Sequence, residues 1–456
     1  MEAQFISKNP YSGEIYQHFD FDQSGELQSD VEKGYRAFLF WKKQSFEIRS
    51  LRFRILAELI RKGAYNFATI ITEETGKPIQ QSFAEVNKSA MVCDFYAEHA
   101  ERLLGAEPVF EEGILKGKIF FEPLGVILEI MPWNFPFWQV FRCTVPTLMA
   151  GNAAILKHAP NVPRSAKAIE QLFIDAGFPK ALFQVVFAKT EDITYLMEST
   201  LIKGVALTGS LRAGAAVGAL AGKNIKPAIL ELGGSDPFIV LEDADLETAA
   251  KIGVASRFNN NGQTCIAAKR FIIHKNIAEQ FLHLLKIETA ALVQGDPKKE
   301  NVQLSVMARA DLADELQLQV DRTIQAGAIV AFDGGQLEKG STVFRPMILT
   351  NIPKGSAAYE EELFGPVLSF YSVESMEAAV ELANDSAFGL GSSIWTKDVN
   401  KAMSIAEQLE VGAVAVNQLM RSVPFMPFGG IKKSGIGREL GREGIRAFVN
   451  TKGILF

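Results

Sequence analysis

The stretch GVILEI at 125–130, followed by the loop MPWNFP at 131–136, an apolar pattern at helical spacing to residue 150 and AAIL at 153–156, decides the fold of this chain. Short apolar, β-branched runs read as buried strands, and the longer run between them has the length of a helix. The alternation continues with a helix over 163–176 stopped by Gly177, a strand at 183–187, a helix over 191–200, a strand at 204–207 and a helix over 210–220. Strands joined through helices run parallel and are covered on both faces, so this region is expected to form a doubly wound α/β sheet. After Glu231 the rhythm resumes with 238–241, 245–257, 270–274 and a long helix from Asn276. A second α/β domain therefore begins near Glu231-Leu232-Gly233-Gly234, which sets Glu231 at the crevice between two domains.

Upstream, residues 29–105 carry apolar side chains three or four apart, with stops at Gly63, at Gly76 with Pro78, and at Gly105, the pattern of a helical layer. An extended stretch at 117–123 reads as a hairpin arm. The apolar tail at 447–456 reads as a strand that either joins a partner subunit or lies at an ordinary sheet edge.

A chain of 456 residues, 48% hydrophobic and 22% charged, can fill two or three domain-sized cores. Its net charge of −6 includes no basic run, which argues against nucleic acid or an anionic membrane as a partner. No apolar run approaches the ~18 residues of a membrane span. The start, Met1-Glu2-Ala3-Gln4-Phe5, lacks a basic and apolar leader, so a cytoplasmic location is expected. Cys93, Cys143 and Cys265 lie far apart with no Cys-x-x-Cys pair, fitting a reducing compartment. The five histidines never stand at metal-ligand spacing, and no metal is expected.

Chemistry gathers at a few turns. Cys265 follows Gly262-Gln263-Thr264, a polar turn in which a thiol is expected to be partly exposed and lowered in pKa. By itself a free cysteine is more often a buried small apolar group, which is the reading for Cys93 and Cys143. A thiolate attacking a carbonyl needs donors for the oxyanion, and Asn134 offers one from a loop held by Pro132 and Pro136. Glu231, in a partly desolvated cleft, is suited to activating water. Thr208-Gly209-Ser210 follows a strand and opens a helix, an arrangement that receives a pyrophosphate, although it also caps helices without a ligand. Lys157 ends the strand at 153–156, where open α/β sheets bind ligands.

Together these segments resemble the aldehyde dehydrogenase superfamily, in order and over nearly the whole chain: PWNFP at 132–136, LKHAP at 156–160, TGS at 208–210, ELGG at 231–234, GQTC at 262–265, EELFGPV at 361–367 and PFGGIKKSGIGRE at 427–439. The resemblance implies a cofactor domain over 1–104 and 124–231, a catalytic domain over 232–433, and an oligomerisation arm from 105–123 and 434–456 that joins subunits into a homodimer or homotetramer. It implies that Cys265 attacks the aldehyde and that Asn134 and the Cys265 N–H hold the oxyanion. Glu231 would then activate the water that hydrolyses the thioester. It also implies that Pro132, Trp133, Lys157, Gly209, Ser210, Leu232, Gly233, Glu362 and Phe364 bind NADP or NAD, and that Glu439 belongs to a proton relay. Two departures bear on function. Pro160 stands where members preferring NAD carry a glutamate that repels a 2′-phosphate, so NADP is expected to be accepted. Ala267 stands where some semialdehyde dehydrogenases carry a second cysteine, so no redox-switching disulfide is expected.

For substrate, the chain is similar to short bacterial succinate-semialdehyde dehydrogenases. Trp138, Arg142, Arg421 and Ser422 are the expected substrate contacts. Arg142, eight residues after Asn134, lies about two helical turns along and is placed to clamp a carboxylate. Other semialdehyde dehydrogenases carry an arginine where this chain has Asn259. An uncharged aldehyde, with Arg142 in a structural ion pair, is the competing reading. A CoA-acylating enzyme and a non-catalytic family member are the rival classes; retention of Glu231 argues against the first, and retention of Cys265, Asn134 and Glu231 together against the second.

Overall fold

A computed structural model describes residues 5–111 and 115–456. Met1–Gln4, read above for a leader, and residues 112–114 of the expected arm lie outside the described residues.

Four helices form the N-terminal layer, Ser24–Trp41, Phe46–Lys62, Ala64–Thr75 and Ile79–Leu104; the last three end at the expected stops, and the first ends at Trp41, where no stop was expected. Gly76 closes the third in the left-handed conformation, φ +72°, which a glycine adopts at little cost. These helices share one large core with a six-stranded sheet in the order Gly435–Ile436, Ala228–Glu231, Ile202–Thr208, Val126–Met131, Ala153–His158, Phe183–Val185. All pairings are parallel except that of Gly435–Ile436 with Ala228–Glu231. The chain winds outward from Val126–Met131 in one direction, then returns to Ile202–Thr208 and winds the other way. The crevice where such a sheet reverses, beyond the carboxyl ends of its strands, is where ligands settle. The loop 131–136 and the Gly209-Ser210 turn both open there.

A second sheet has seven strands in the order Ile329–Phe332, Met347–Thr350, Val367–Val373, Ala268–His274, Asp236–Val240, Gly391–Trp395, Ala413–Val416. It too is parallel apart from its edge strand Ile329–Phe332. Separate apolar clusters form on it, one under Leu246–Phe258 and Lys275–Ala290, another under Met376–Asn384 and Val399–Ala406. The mixed α/β architecture with doubly wound parallel sheets is the one the alternation implies.

Three details depart from expectation. The helix expected from 136 begins at Trp138, because the turn after Phe135 still serves the loop. The strand expected at 153–156 runs to His158, in register with Met131. The segment 434–456 divides: Gly435–Ile436 joins the first sheet beside Glu231, and only Val449–Leu455 pairs with Leu115–Pro123 in a three-stranded sheet with Glu107–Glu111. No helix among the described residues is long and apolar enough to cross a membrane.

Candidate active site

Glu231 ends a strand of the first sheet, and Cys265 stands three residues before a strand of the second, so the cleft between the sheets brings carboxylate and thiol together. Between Leu246–Phe258 and Cys265 the chain passes through two left-handed asparagines, Asn260 and Asn261 (φ 53° and 56°), and Gly262 (φ 75°). Asparagine tolerates that conformation better than most residues. Asn261 is held on both sides, donating to Val306 O at 2.7 Å and accepting from Ser305 N at 2.5 Å. Buried Arg257 donates to Val367 O at 2.7 Å, to Leu363 O at 2.9 Å and to Gly365 O, tying the helix that leads into the Cys265 turn to segment 361–367. A Cβ on Gly234 would stand 2.7 Å from Cys265 O, and one on Gly429 2.6 Å from Glu231 Oε1, so the paired glycines of ELGG and PFGG are what allow this approach.

Cys265 is partly exposed and lies where two cavities meet. Asn134 lines one of them, donates from Nδ2 to Gln263 O at 3.0 Å and keeps its second N–H for another acceptor. Its carbonyl accepts from Asn260 at 2.7 Å. The N–H of Cys265 makes no hydrogen bond among the described residues, so two donors stand ready for an oxyanion. The loop carrying Asn134 is pinned from below by buried His158. The N–H of Ala159 donates to its Nδ1, making that nitrogen the acceptor, and Nε2–H then donates to Pro136 O at 3.0 Å. Burial holds this ring neutral, with a pKa of about 4.

The expected lowering of the thiol pKa is not found. Burial pushes Cys265 up to about 11, outweighing the pull of Arg142 and Lys269. Lys269 was not singled out in the sequence. Its Nζ donates to Thr264 O at 2.8 Å and Cys265 O at 2.7 Å and pairs with Glu362 at 3.0 Å. Glu231 is buried, its Oε1 has no protein partner, and burial together with Glu439 raises its pKa well above the usual carboxylate range.

One cavity, about 290 Å³, is lined by Pro132, Trp133, Asn134, Gly209, Ser210, Leu232, Gly233, Glu362 and Phe364 among others. Eight of the nine expected cofactor residues thus meet; Lys157 is not in the lining and stands 5.7 Å over the Phe5 ring. Gly209 N–H is already given to Glu231 O at 2.9 Å, so an anion here would meet the first-turn N–H groups of Leu211–Lys223 instead. Leu312, Glu315, Leu316 and Gln319, from a helix the motifs do not mark, complete the wall. The residues fit a dinucleotide: an open helix N-terminus, an edge-to-face pair of Trp133 and Phe364 at 6.0 Å, and a carboxylate on Glu362 facing the Gly233 backbone.

The other cavity, about 520 Å³, is lined by Trp138, Arg142, Arg421, Ser422, Asn259, Phe428 and Lys88, and reaches Cys265. Arg142 does not present a free clamp. Its guanidinium is buried, paired with Glu439, 4.7 Å over the Phe428 ring and 3.3 Å from Thr208 Oγ1. A buried cation takes the nearest buried anion, and both come from the chain itself. Lys88, on the helix Ile79–Leu104, was missed because it sits in an ordinary amphipathic pattern with no motif around it.

The aldehyde dehydrogenase family model matches residues 2–454. The chain is 44% identical to the NAD(P)+ succinate semialdehyde dehydrogenase Sad of Escherichia coli K12, over 98% of this chain and 96% of that one. It is also 44% identical to a probable NADP+ succinate-semialdehyde dehydrogenase of Synechocystis, over 97% and 98%. Among solved structures, succinic semialdehyde dehydrogenase of Streptococcus pyogenes with NADP+ superposes with a TM-score of 0.96 at 33% identity, covering 99% of both chains.

Proposed function

The chain belongs to the aldehyde dehydrogenase family, and from that premise we propose that it oxidises succinate semialdehyde to succinate with NADP or NAD. The observation that carries the reading is Cys265 at the junction of a cavity lined by eight of the nine expected cofactor residues and a second cavity bearing Lys88, Arg142 and Arg421. The names of the relatives above support the same substrate and cofactors.

In this reading the Cys265 thiol gives up its proton to water in the cleft, and the thiolate Sγ bonds to the aldehyde carbon while Asn134 Nδ2 and the Cys265 N–H hold the oxygen as charge develops. Pro132, Trp133, Ser210, Leu232, Gly233, Glu362 and Phe364 would hold the dinucleotide, whose nicotinamide would supply the hydride acceptor. Glu231, whose pKa is raised well above the usual carboxylate range by burial and by Glu439, is thereby a stronger base and acts as the carboxylate when it takes a proton from water. That water opens the thioester and releases the acid, returning the thiol. Arg142 holds Glu439 and so tunes Glu231 from behind. Pro160 leaves no carboxylate to repel a 2′-phosphate, which favours acceptance of NADP. A homo-oligomer built through the arm and a cytoplasmic location complete the proposal.

An aldehyde panel run with both cofactors and without CoA tests the reading. Succinate semialdehyde should give the highest kcat/KM, turnover should be measurable with NADP, and free succinate should form. Preference for uncharged aldehydes, or a requirement for CoA, would sink it.

A further inference from the structure

Three cations line the substrate-side cavity. Arg142 is neutralised by Glu439, and Arg421 is exposed. Lys88 differs from both: it is half-buried, and no carboxylate lies within ion-pair distance of it among the described residues. Glu85, three residues earlier on the same helix, is not its counter-ion. One Glu85 oxygen accepts the N–H groups of Phe137 and Trp138 at 2.8 and 3.1 Å, and the other holds Lys77.

Lys88 Nζ donates to Ser422 Oγ at 3.0 Å and lies 4.0 Å over the Trp138 ring. Trp138 Nε1 donates to the same Ser422 Oγ at 2.9 Å. A hydroxyl oxygen has two lone pairs, and here both are taken, so the Ser422 proton must point to another acceptor. An ammonium and a hydroxyl donor side by side, on an aromatic floor and with the one lining carboxylate, Glu85, engaged by Lys77 and two backbone N–H groups, form half of a carboxylate site. Asn259 lines the same cavity without supplying charge.

We propose that Lys88, acting with the Ser422 hydroxyl, is the specificity-determining residue that holds a carboxylate remote from the aldehyde group of the substrate. The assignment rests on the semialdehyde reading above and adds to it which side chain selects the acid. Electrostatics agree with the geometry: burial, with Arg142 and Arg421 nearby, pushes Lys88 down to about 7 against the pull of Glu85 and Cys265, so an arriving anion restores a charge the pocket disfavours.

The test is steady-state kinetics of the wild type, Lys88→Gln and Lys88→Arg with succinate semialdehyde and with butanal, which has the same chain length and no carboxylate. Lys88→Gln should raise KM for succinate semialdehyde on the order of 10- to 100-fold, with kcat little changed. KM for butanal should stay the same or fall, and Lys88→Arg should recover most of the loss. Lys88→Met gives the same readout if the glutamine variant does not fold. Equal changes in KM for both aldehydes, or none for succinate semialdehyde, overturn the assignment. A wild type that prefers butanal would instead overturn the semialdehyde reading itself.

Discussion

A thiol with a pKa of about 11 is almost entirely protonated at neutral pH, so Cys265 depends on nearby cations to react. Its alkylation by iodoacetamide should accelerate with pH through the alkaline range, and Lys269→Met should slow it further at neutral pH because a charge favouring the thiolate is gone. A rate independent of pH between 7 and 10 would show that the thiolate is already formed. Arg142 has a different task from the one its spacing suggests. Removing it leaves Glu439 buried, unpaired and next to Glu231, so Arg142→Ala should lower kcat for succinate semialdehyde and butanal alike and reduce stability by ~3–5 kcal/mol, as broken buried pairs do. A KM increase confined to the semialdehyde would restore the clamp. Lys88 carries its own pH signature. Below about 7 the free ammonium is present and binds the carboxylate; as pH rises through that value it is lost, so KM for succinate semialdehyde should climb. The groups facing it, Arg142, Arg421, Glu85 and Cys265, set where the climb begins.

At the scale of elements, the oxyanion loop is held from two sides. His158 holds its Pro136 end from the neighbouring strand, and Glu85 accepts two N–H groups at the start of the helix Trp138–Met149, where a carboxylate also meets the positive end of the helix dipole. Glu85 in turn compensates Lys77, which is fully buried and 3.8 Å over the Phe135 ring. Glu85→Ala should therefore lower the thermal midpoint and cut kcat through Asn134, whereas Glu85→Ala with Lys77→Met should recover much of the stability because no lone charge remains. Thermal unfolding of the single and double variants decides it; identical midpoints would remove the ion pair from the account. None of this was legible in sequence. Glu85 and Lys77 carry no motif, and their meeting with residues 135–138 depends on how one helix crosses another.

At the scale of the molecule, two parallel sheets face one cleft, and the tail Val449–Leu455 adds its full length to Leu115–Pro123. Ile454, Leu455 and Phe456 remain exposed on that arm, as does Phe110. If the arm joins subunits as proposed, the full chain should sediment as an oligomer and a chain lacking residues 449–456 as a smaller species; the same size for both would remove the arm from the interface. The sequence by itself determined the alternation of elements from residue 125 to the helix beginning near Asn276, the α/β class and the pairing of a thiol with a carboxylate, because strand and helix periodicity and glycine-bearing turns are local signals. Family resemblance then supplied their roles. Only the tertiary structure decided that Arg142 is bound to Glu439, that Lys269 touches the Cys265 carbonyl, that Gly209 has no N–H to spare, and that Lys88 lines the larger cavity at Cys265 without an ion-pair partner among the described residues. Which charge neutralises which is set by burial and by contacts between segments as far apart as Lys88 and Ser422, and no local pattern encodes those distances.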